Sequence, residues 1–402
     1  MNIHRPIIKA WTSLLVLFFS FNFSLPVSAQ QAFQYKADTF NVIFQWINEV
    51  DTGFVIDRIR HLQDYQTRDC FTPDAVEAQN WIKSQYEALG LPVELQDFPL
   101  YNDNPSDNVI ATITGQVLPN EYVVLGGHYD SWTSSFRAPG ADDNASGTSG
   151  VLEVARILSQ YKFKRSIIFC AFSAEEYGLA GSDAFVGRCQ NQGMNLLGYF
   201  NMDMIGYHEA GTALHSDMLN PPGAQSLADF YIDVAAIYLP DFTIEQGAYD
   251  DGSSDHATFN AWGYQGIFPF EDDEYYSPFI HTTNDLVGPS FNSPELAKNL
   301  IQGGLAAVAT LAIPYNPVGT DEITGDPLIL EIFPNPSHNI ITVSSGVSEK
   351  ISYEVYSVRG EMLAAGSFNE KLSLDVSWFS PGAYVLKIRG KNVVETRKLI
   401  IE

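Results

Sequence analysis

Positive charge is what this chain has least of. Its 402 residues carry 22 Lys and Arg against 48 Asp and Glu, a formal net charge of −26. Nucleic acid and anionic membrane surfaces are held by a positive field, so neither is an expected partner. Cysteine is scarce as well: there are three, and no two have C-x-x-C spacing. That excludes a thiolate zinc site and a disulfide-dense scaffold. Cys70 and Cys189 fall in loop or element-end contexts, where one pair could form. Cys170 lies in the apolar run 167–172 and reads as a buried thiol. Beyond residue 29 no apolar stretch is long enough to cross a bilayer. What is present is core-forming material. Hydrophobic residues make up 45% and aromatics 13%, which excludes disorder as the dominant state. The length predicts two or three domains.

The first segment reads as an address. Arg5 and Lys9 precede the short apolar run Leu14 to Leu25, and Val27-Ser28-Ala29 supplies small residues for cleavage. This predicts a signal peptide over 1–29 and an exported, soluble mature protein.

From residue 37 to 63 apolar residues recur at helical spacing, and a second helix is expected over 74–89, stopped by Gly90. Strands are expected at 93–98, 109–113, 122–125, 166–172, 196–202 and 264–269. Helices are expected at 149–161, 181–192, 225–238 and 294–312. This alternation predicts an α/β fold, with a mixed, mostly parallel sheet covered by helices on both faces. At Ile313 the pattern changes. Residues 314–327 are rich in Pro, Gly and Asp and read as a linker. Residues 328–402 show only strand-like alternation, which predicts a small β-sandwich.

Five acid or imidazole segments follow expected strand ends, where open α/β sheets place their sites. In Gly127-His128-Tyr129-Asp130, His128 can bind a metal while Asp130 fixes its tautomer. The same H-x-D pattern also occurs on plain surfaces. In Gly140-Ala141-Asp142-Asp143, one Asp could bridge two cations, or the pair could simply cap a helix. In Ser173-Ala174-Glu175-Glu176, one Glu could hold metal while its neighbour meets a water. Asp203 ends a strand, and His281 lies in Ile280-His281-Thr282-Thr283. Oxygen and imidazole donors without thiolate suit zinc, and such a crowd of acids would repel itself without cations. His256 reads as a structural or outer group, and His61, His208, His215 and His338 as solvent-facing. Tyr275, Tyr276 and Phe279 could line a pocket or merely pack. Asp272, Asp273 and Glu274 read as a solvated turn or, with Asp250 and Asp251, as an acidic pocket rim.

The wording and order of GGHYDS, APGADDNASG, FSAEEYGLAGS, NMDM, SDH and IHTTND resemble the secreted dizinc aminopeptidases, peptidase family M twenty-eight, of the bacterial leucyl type. The resemblance covers residues 64 to 313. It implies two zinc ions bridged by Asp142, with His128 and Asp203 completing one site and Glu176 and His281 the other. It implies Glu175 as general base and acid, and Asp130 and Asp143 as outer supports. It further implies a cis bond between Asp142 and Asp143, and peptide substrates with a free N-terminus. The pattern departs from the family before Ser254, where Asp251 stands in place of the usual oxyanion-stabilising Tyr and Tyr249 is displaced by two residues. The possible substrate pocket is therefore Tyr249, Asp251, Tyr276 and Phe279. A glutaminyl cyclase is the nearest enzymatic alternative, with a carboxypeptidase relative also possible; a binding module on a peptidase fold is the non-enzymatic one.

The C-terminal segment, with Phe333-Pro334-Asn335-Pro336, Tyr356-Ser357-Val358-Arg359-Gly360, Pro381-Gly382-Ala383-Tyr384 and the ending Arg397 to Glu402, resembles a type nine secretion system sorting domain. That resemblance implies passage through the periplasm and across the outer membrane, with secretion machinery as a partner and a secreted or cell-surface destination. The expected organisation is a leader (1–29), a peptidase domain (30–313, with 30–65 as a possible propeptide), a linker (314–327) and a sorting domain (328–402), acting as a monomer.

Overall fold

A computed structural model of the chain describes residues 33–100, 104–249, 252–315, 330–345, 350–357, 362–390 and 394–402. The expected leader, most of the linker, and Asp250 and Asp251 lie outside these residues. The chain divides into two compact units, one running to Ala312 without 160–164, the other comprising 160–164 and Ile313–Glu402.

The first unit opens with α1 (Asn41–Ile47), α2 (Thr52–Gln63) and α3 (Pro73–Ala88). The single helix expected over 37–63 is therefore two. The break falls where the Asp51 carboxylate accepts the N–H groups of Gly53 and Phe54 and starts a new helix. Thr72 caps α3 in the same way, with Pro73 in the first turn, where its missing N–H costs nothing.

Eight strands follow: β1 (Val93–Pro99), β2 (Pro105–Ile113), β3 (Leu118–His128), β4 (Arg165–Phe172), β5 (Asn195–Asn201), β6 (His215–Leu219), β7 (Thr243–Gln246) and β8 (Gly266–Phe270). Their order is β1-β2-β4-β3-β5-β8-β6-β7. The four central strands run parallel, while β1, β2 and β6 join antiparallel neighbours. β4, β5 and β8 are almost continuously buried, as a sheet covered on both faces requires. Alternate residues show the two faces. Val124, Cys170, Phe172 and Tyr199 pack with Phe185 of α5 (Ala180–Gln192) and Phe259 of α7 (His256–Ala261). On the other face Leu125 lines a small cavity with Leu300 and Gly304 of α8 (Pro294–Ala312) and Tyr231 of α6 (Gln225–Tyr238). The helix α4 (Gly147–Leu158) leads from the loop after β3 back to β4.

The three cysteines are free. Cys189 packs with Cys170 in the α5 cluster, whereas Cys70 packs with Phe98, Leu100 and Tyr177. Cys70 and Cys189 therefore do not pair, because they belong to separate clusters.

The second unit holds two antiparallel sheets. One orders β13 (Lys371–Asp375), β10 (Ile340–Ser344) and β9 (Glu331–Phe333). The other orders β12 (Met362–Asn369), β11 (Lys350–Ser357), β14 (Gly382–Arg389) and β15 (Val394–Ile401). Alternate residues of both sheets, including Ile341, Val343, Ile351, Val355, Leu386, Ile388 and Leu399, share one core.

Candidate metal centre

The site is built where three parallel strands end. β3 ends on His128, β4 runs into Glu175 and Glu176, and β5 runs into Asp203. Two glycines let these ends meet. A Cβ on Gly127 would stand 2.1 Å from the Met202 carbonyl oxygen, and one on Gly147 2.0 Å from the same atom. No side chain fits there, so the end of β3, the start of α4 and the end of β5 pack backbone to backbone. Ala174, Met204 and His281, each at or beside a candidate ligand, hold φ of 58°, 46° and 57°. Such left-handed backbone costs about 1–2 kcal/mol per non-glycine residue and is over-determined by its surroundings.

The side chains converge in two groups, His128 with Glu175 and Asp203, and Asp143 with Glu176 and His281. Asp143 joins them. Its Oδ1 lies 3.3 Å from His128 Nε2, and its Oδ2 lies 3.2 Å from His281 Nε2. Asp203 Oδ1 is 3.3 Å from His128 Nε2, and Glu176 Oε2 is 3.0 Å from His281 Nε2. The bridging position expected for Asp142 is thus held by Asp143. Asp142 instead turns inward, where its Oδ1 accepts the Gly206 N–H at 3.0 Å. The reason is local backbone geometry. Asp143 (φ −105°, ψ 93°) and Asn144 (φ −132°, ψ 51°) leave the helical path, so the two neighbouring Asp side chains diverge. The cis peptide bond is likewise one residue later than expected, between Asp143 and Asn144.

Asp130 is fully buried. Its Oδ1 lies 3.4 Å from His128 Nδ1, and its two oxygens accept the N–H groups of Glu175 and Glu176 at 3.1 and 3.3 Å. One carboxylate therefore orients an imidazole and both glutamates. Asp203 is held by a relay in which Tyr199 donates to Asn201, Asn201 to Ser254, and Ser254 to Asp203 Oδ2, at 2.6, 2.7 and 2.7 Å.

Two supports were not among the expected site residues. Asp285 accepts the N–H groups of Asp142 and Asp143 at 2.9 and 3.1 Å, fixing the bridging loop from the His281 segment. Arg68, in the segment between α2 and α3, is fully buried. It donates to the carbonyls of Leu62, Tyr129, Pro139 and Gly140 at 2.6–3.0 Å. Only the Thr282-Thr283-Asn284-Asp285 wording pointed near Asp285.

The electrostatics follow from burial and crowding. Burial works against the His128 imidazolium, but Asp203, Glu175, Asp130 and Asp143 outweigh it and push its pKa well up. Hydrogen bonds to Asp143 and Glu176 push His281 up to about 10. Burial would raise Asp143, yet the two imidazoles pull it below the usual carboxylate range. Burial pushes Glu175 well up, reinforced by Asp255, Asp203 and Glu176 and opposed by His128. Burial and Asp143 push Glu176 up to about 7.

The outlying expectations resolve differently. Tyr249 and Tyr276 are exposed, Tyr276 with its ring 6.0 Å from that of Phe270. Phe279 is half-buried. His256 is fully buried. His215, read as solvent-facing, is half-buried and lies 3.7 Å from Asp217 and 3.9 Å from Asp272. Asp272, read as part of a solvated turn, is buried and accepts the N–H groups of Glu274 and Tyr275.

Whether these residues fit a metal can be tested on their own atoms. Asp203 Oδ1, 3.3 Å from His128 Nε2, and Glu176 Oε1, on the carboxylate whose other oxygen faces His281, are buried without a hydrogen-bond partner, one in each group. Buried carboxylate oxygens without donors are costly unless a cation serves them. Four carboxylates and two imidazoles, with no thiolate, fit a pair of divalent ions of the zinc type.

Known proteins give the same picture. Residues 108–297 match peptidase family M28, and residues 331–402 match the secretion system C-terminal sorting domain. A probable zinc metalloprotease of Pyrenophora tritici-repentis is 28% identical over 289 residues, covering 58% of this chain and 66% of the relative. Leucine aminopeptidase 1 of Ajellomyces capsulatus is 35% identical over 196 residues, covering 45% and 50%. The chain thus spans half to about two thirds of the length of these curated relatives. The crystal structure of the LapA aminopeptidase of Legionella pneumophila superposes with a TM-score of 0.63 at 25% identity, covering 71% of this chain and 78% of that one. Residues 108–297, within the first unit, are thus similar to peptidase family M28, and residues 331–402 to secretion-system C-terminal sorting domains.

Proposed function

We propose that the mature protein is an exported zinc aminopeptidase that removes residues from the free N-terminus of peptides. The observation that carries this reading is Asp143, whose two oxygens face two different imidazoles. A carboxylate so placed suits a pair of cations rather than one. His128, Asp203 and Asp143 would hold one zinc, and Glu176, His281 and Asp143 the other. When bound, the zinc pair supplies charge that polarises the scissile carbonyl and acidifies water.

The rest is the work of this chain's own side chains. Glu175 takes a proton from the attacking water and passes it to the leaving amine. A carboxyl whose pKa is pushed well up by desolvation suits both steps, because it holds a proton more readily than an ordinary Glu. Asp130 keeps Glu175 and Glu176 aimed through their backbone N–H groups. The reading takes the substrate's free α-amine as the group held at the centre, which restricts cleavage to the chain start.

The proposed organisation keeps residues 1–29 as a leader, 30–313 as the peptidase, 314–327 as a linker and 328–402 as the signal for type nine export across the outer membrane. Segment 41–63 is read as part of the working enzyme rather than a propeptide. Its Arg58 pairs at 3.0 Å with the fully buried Glu153, and Gln302 donates to the Ile47 carbonyl at 2.7 Å. Losing the segment would leave Arg156 as the remaining cation on this buried carboxylate and would take Ile43, Val55, Ile59 and Leu62 out of the core. The protein is proposed to work as a monomer.

A panel of aminoacyl anilides tests the reading. The protein should cleave those with a free amine and spare their N-acetylated forms. Glu175→Gln should lose about 10²–10⁴ of kcat while its metal content stays unchanged. Cyclisation of N-terminal Gln in place of cleavage would favour a glutaminyl cyclase.

A further inference from the structure

The loop between Ser131 and Ala138 has a locked base and carries two exposed aromatic rings. The Ser131 hydroxyl donates to the Ala138 carbonyl at 2.8 Å and accepts the Arg68 N–H at 2.9 Å, and both end residues are buried. Between them Trp132 is 37% exposed and Phe136 fully exposed. The loop is also tied to the candidate centre. The Trp132 ring meets the His281 ring edge-on at 5.3 Å and 90°, and the Thr133 hydroxyl donates to the His281 carbonyl at 3.0 Å.

Exposure shows which way a substrate must leave. The side chains of His128, Asp143, Asp203 and Glu176 are each at most 8% exposed, whereas that of His281 is 42% exposed. The centre therefore opens to solvent on the His281 side, past Trp132. An aminopeptidase must enclose the first residue and let the rest of the peptide run outward, so the part beyond the scissile bond passes that opening. Exposed aromatic rings held on a fixed loop offer apolar contact at little cost in conformational entropy.

We infer that Trp132, supported by Phe136, forms a subsite for the residue directly after the scissile bond and favours an apolar, especially aromatic, side chain there. This rests on the aminopeptidase reading. It assigns Trp132 to substrate selection, apart from the packing of its ring against His281.

The test compares Leu-Phe-Ala, Leu-Ser-Ala and leucinamide, which has no side chain beyond the bond, on the zinc-loaded mature protein. The wild type should prefer Leu-Phe-Ala over Leu-Ser-Ala by about tenfold in kcat/KM, mostly through KM. Trp132→Ala should bring that ratio close to one, Trp132→Phe should retain most of it, and Phe136→Ala should lower it partly. Calorimetric binding of the uncleaved D-leucyl analogue of Leu-Phe-Ala should weaken in parallel. If Trp132→Ala lowers all three substrates equally and leaves the Phe-to-Ser ratio intact, Trp132 only props His281 and the inference fails. If the wild type shows no Phe-to-Ser preference while still hydrolysing leucinamide, the inference fails and the aminopeptidase reading stands. Inertness toward all three overturns both.

Discussion

Asp143 organises the centre because of its direction, and direction is what separates it from Asp142. One carboxylate meets two imidazoles, while its neighbour satisfies the Gly206 N–H inside the fold. Asp143→Ala should therefore drop the bound metal from two ions per chain to one or none, whereas Asp142→Asn should keep two; metal analysis of the purified variants decides. Equal loss in both would return the bridging role to the pair as a whole. The imidazoles make a second prediction. In the metal-free protein the surrounding acids raise both, His281 up to about 10 against an ordinary value of 6.5, so that His281 carries a proton at pH 7. A raised histidine pKa stabilises the metal-free fold fully below the ordinary value and loses that contribution as pH rises through about 10. Zinc needs neutral imidazole, so its binding must expel these protons and tighten as pH rises across that window. Calorimetry in buffers of different ionisation enthalpy should show proton release at pH 7; binding without it would contradict the protonated imidazoles. At this scale the sequence was readable where residue type limits the options. His128, Glu175, Glu176, Asp203 and His281 are acids or imidazoles at strand ends, and they do converge. It was unreadable where a dihedral decides, as between two adjacent Asp. It was equally silent where a partner is a backbone carbonyl, as for Arg68.

Among the elements, the meeting of β3, α4 and β5 over one carbonyl oxygen bears most on the site. Gly147→Ala would place a methyl 2.0 Å from Met202 O. The strand ends would have to separate, costing about 2–3 kcal/mol as overpacking of a tight core does. Thermal unfolding should report a fall of several degrees, and zinc affinity should fall with it, since His128 and Asp203 sit on the two displaced ends. An unchanged melting temperature would show that the strand ends are looser than the backbone contact implies. The central strands were legible because they are buried on both faces and read as apolar runs. β6 and β7 were not, being five and four residues long and carrying His, Ser and Asp in the one and Thr, Glu and Gln in the other. The division of α1 from α2 was hidden because the apolar spacing runs across it. The signal was local, in the Asp51 cap.

At the level of the whole molecule, the shortage of positive charge acquires a place. Part of the net −26 is gathered at the centre, where Glu175 and Asp203 share one group with His128, and Asp143 and Glu176 the other with His281. On the proposed reading two divalent cations balance these acids, and the two-unit division keeps export and hydrolysis in different parts of the chain. The change of pattern at Ile313 was visible because helical periodicity stops there and strand alternation begins; how the expected leader and linker are arranged lies outside the described residues. The most direct test strips the mature protein with a chelator and restores zinc stepwise while following hydrolysis of a leucyl anilide. Activity should vanish on stripping and return over two equivalents of zinc per chain. Full activity in the stripped protein, or full recovery at a single equivalent, would contradict the paired centre built on Asp143.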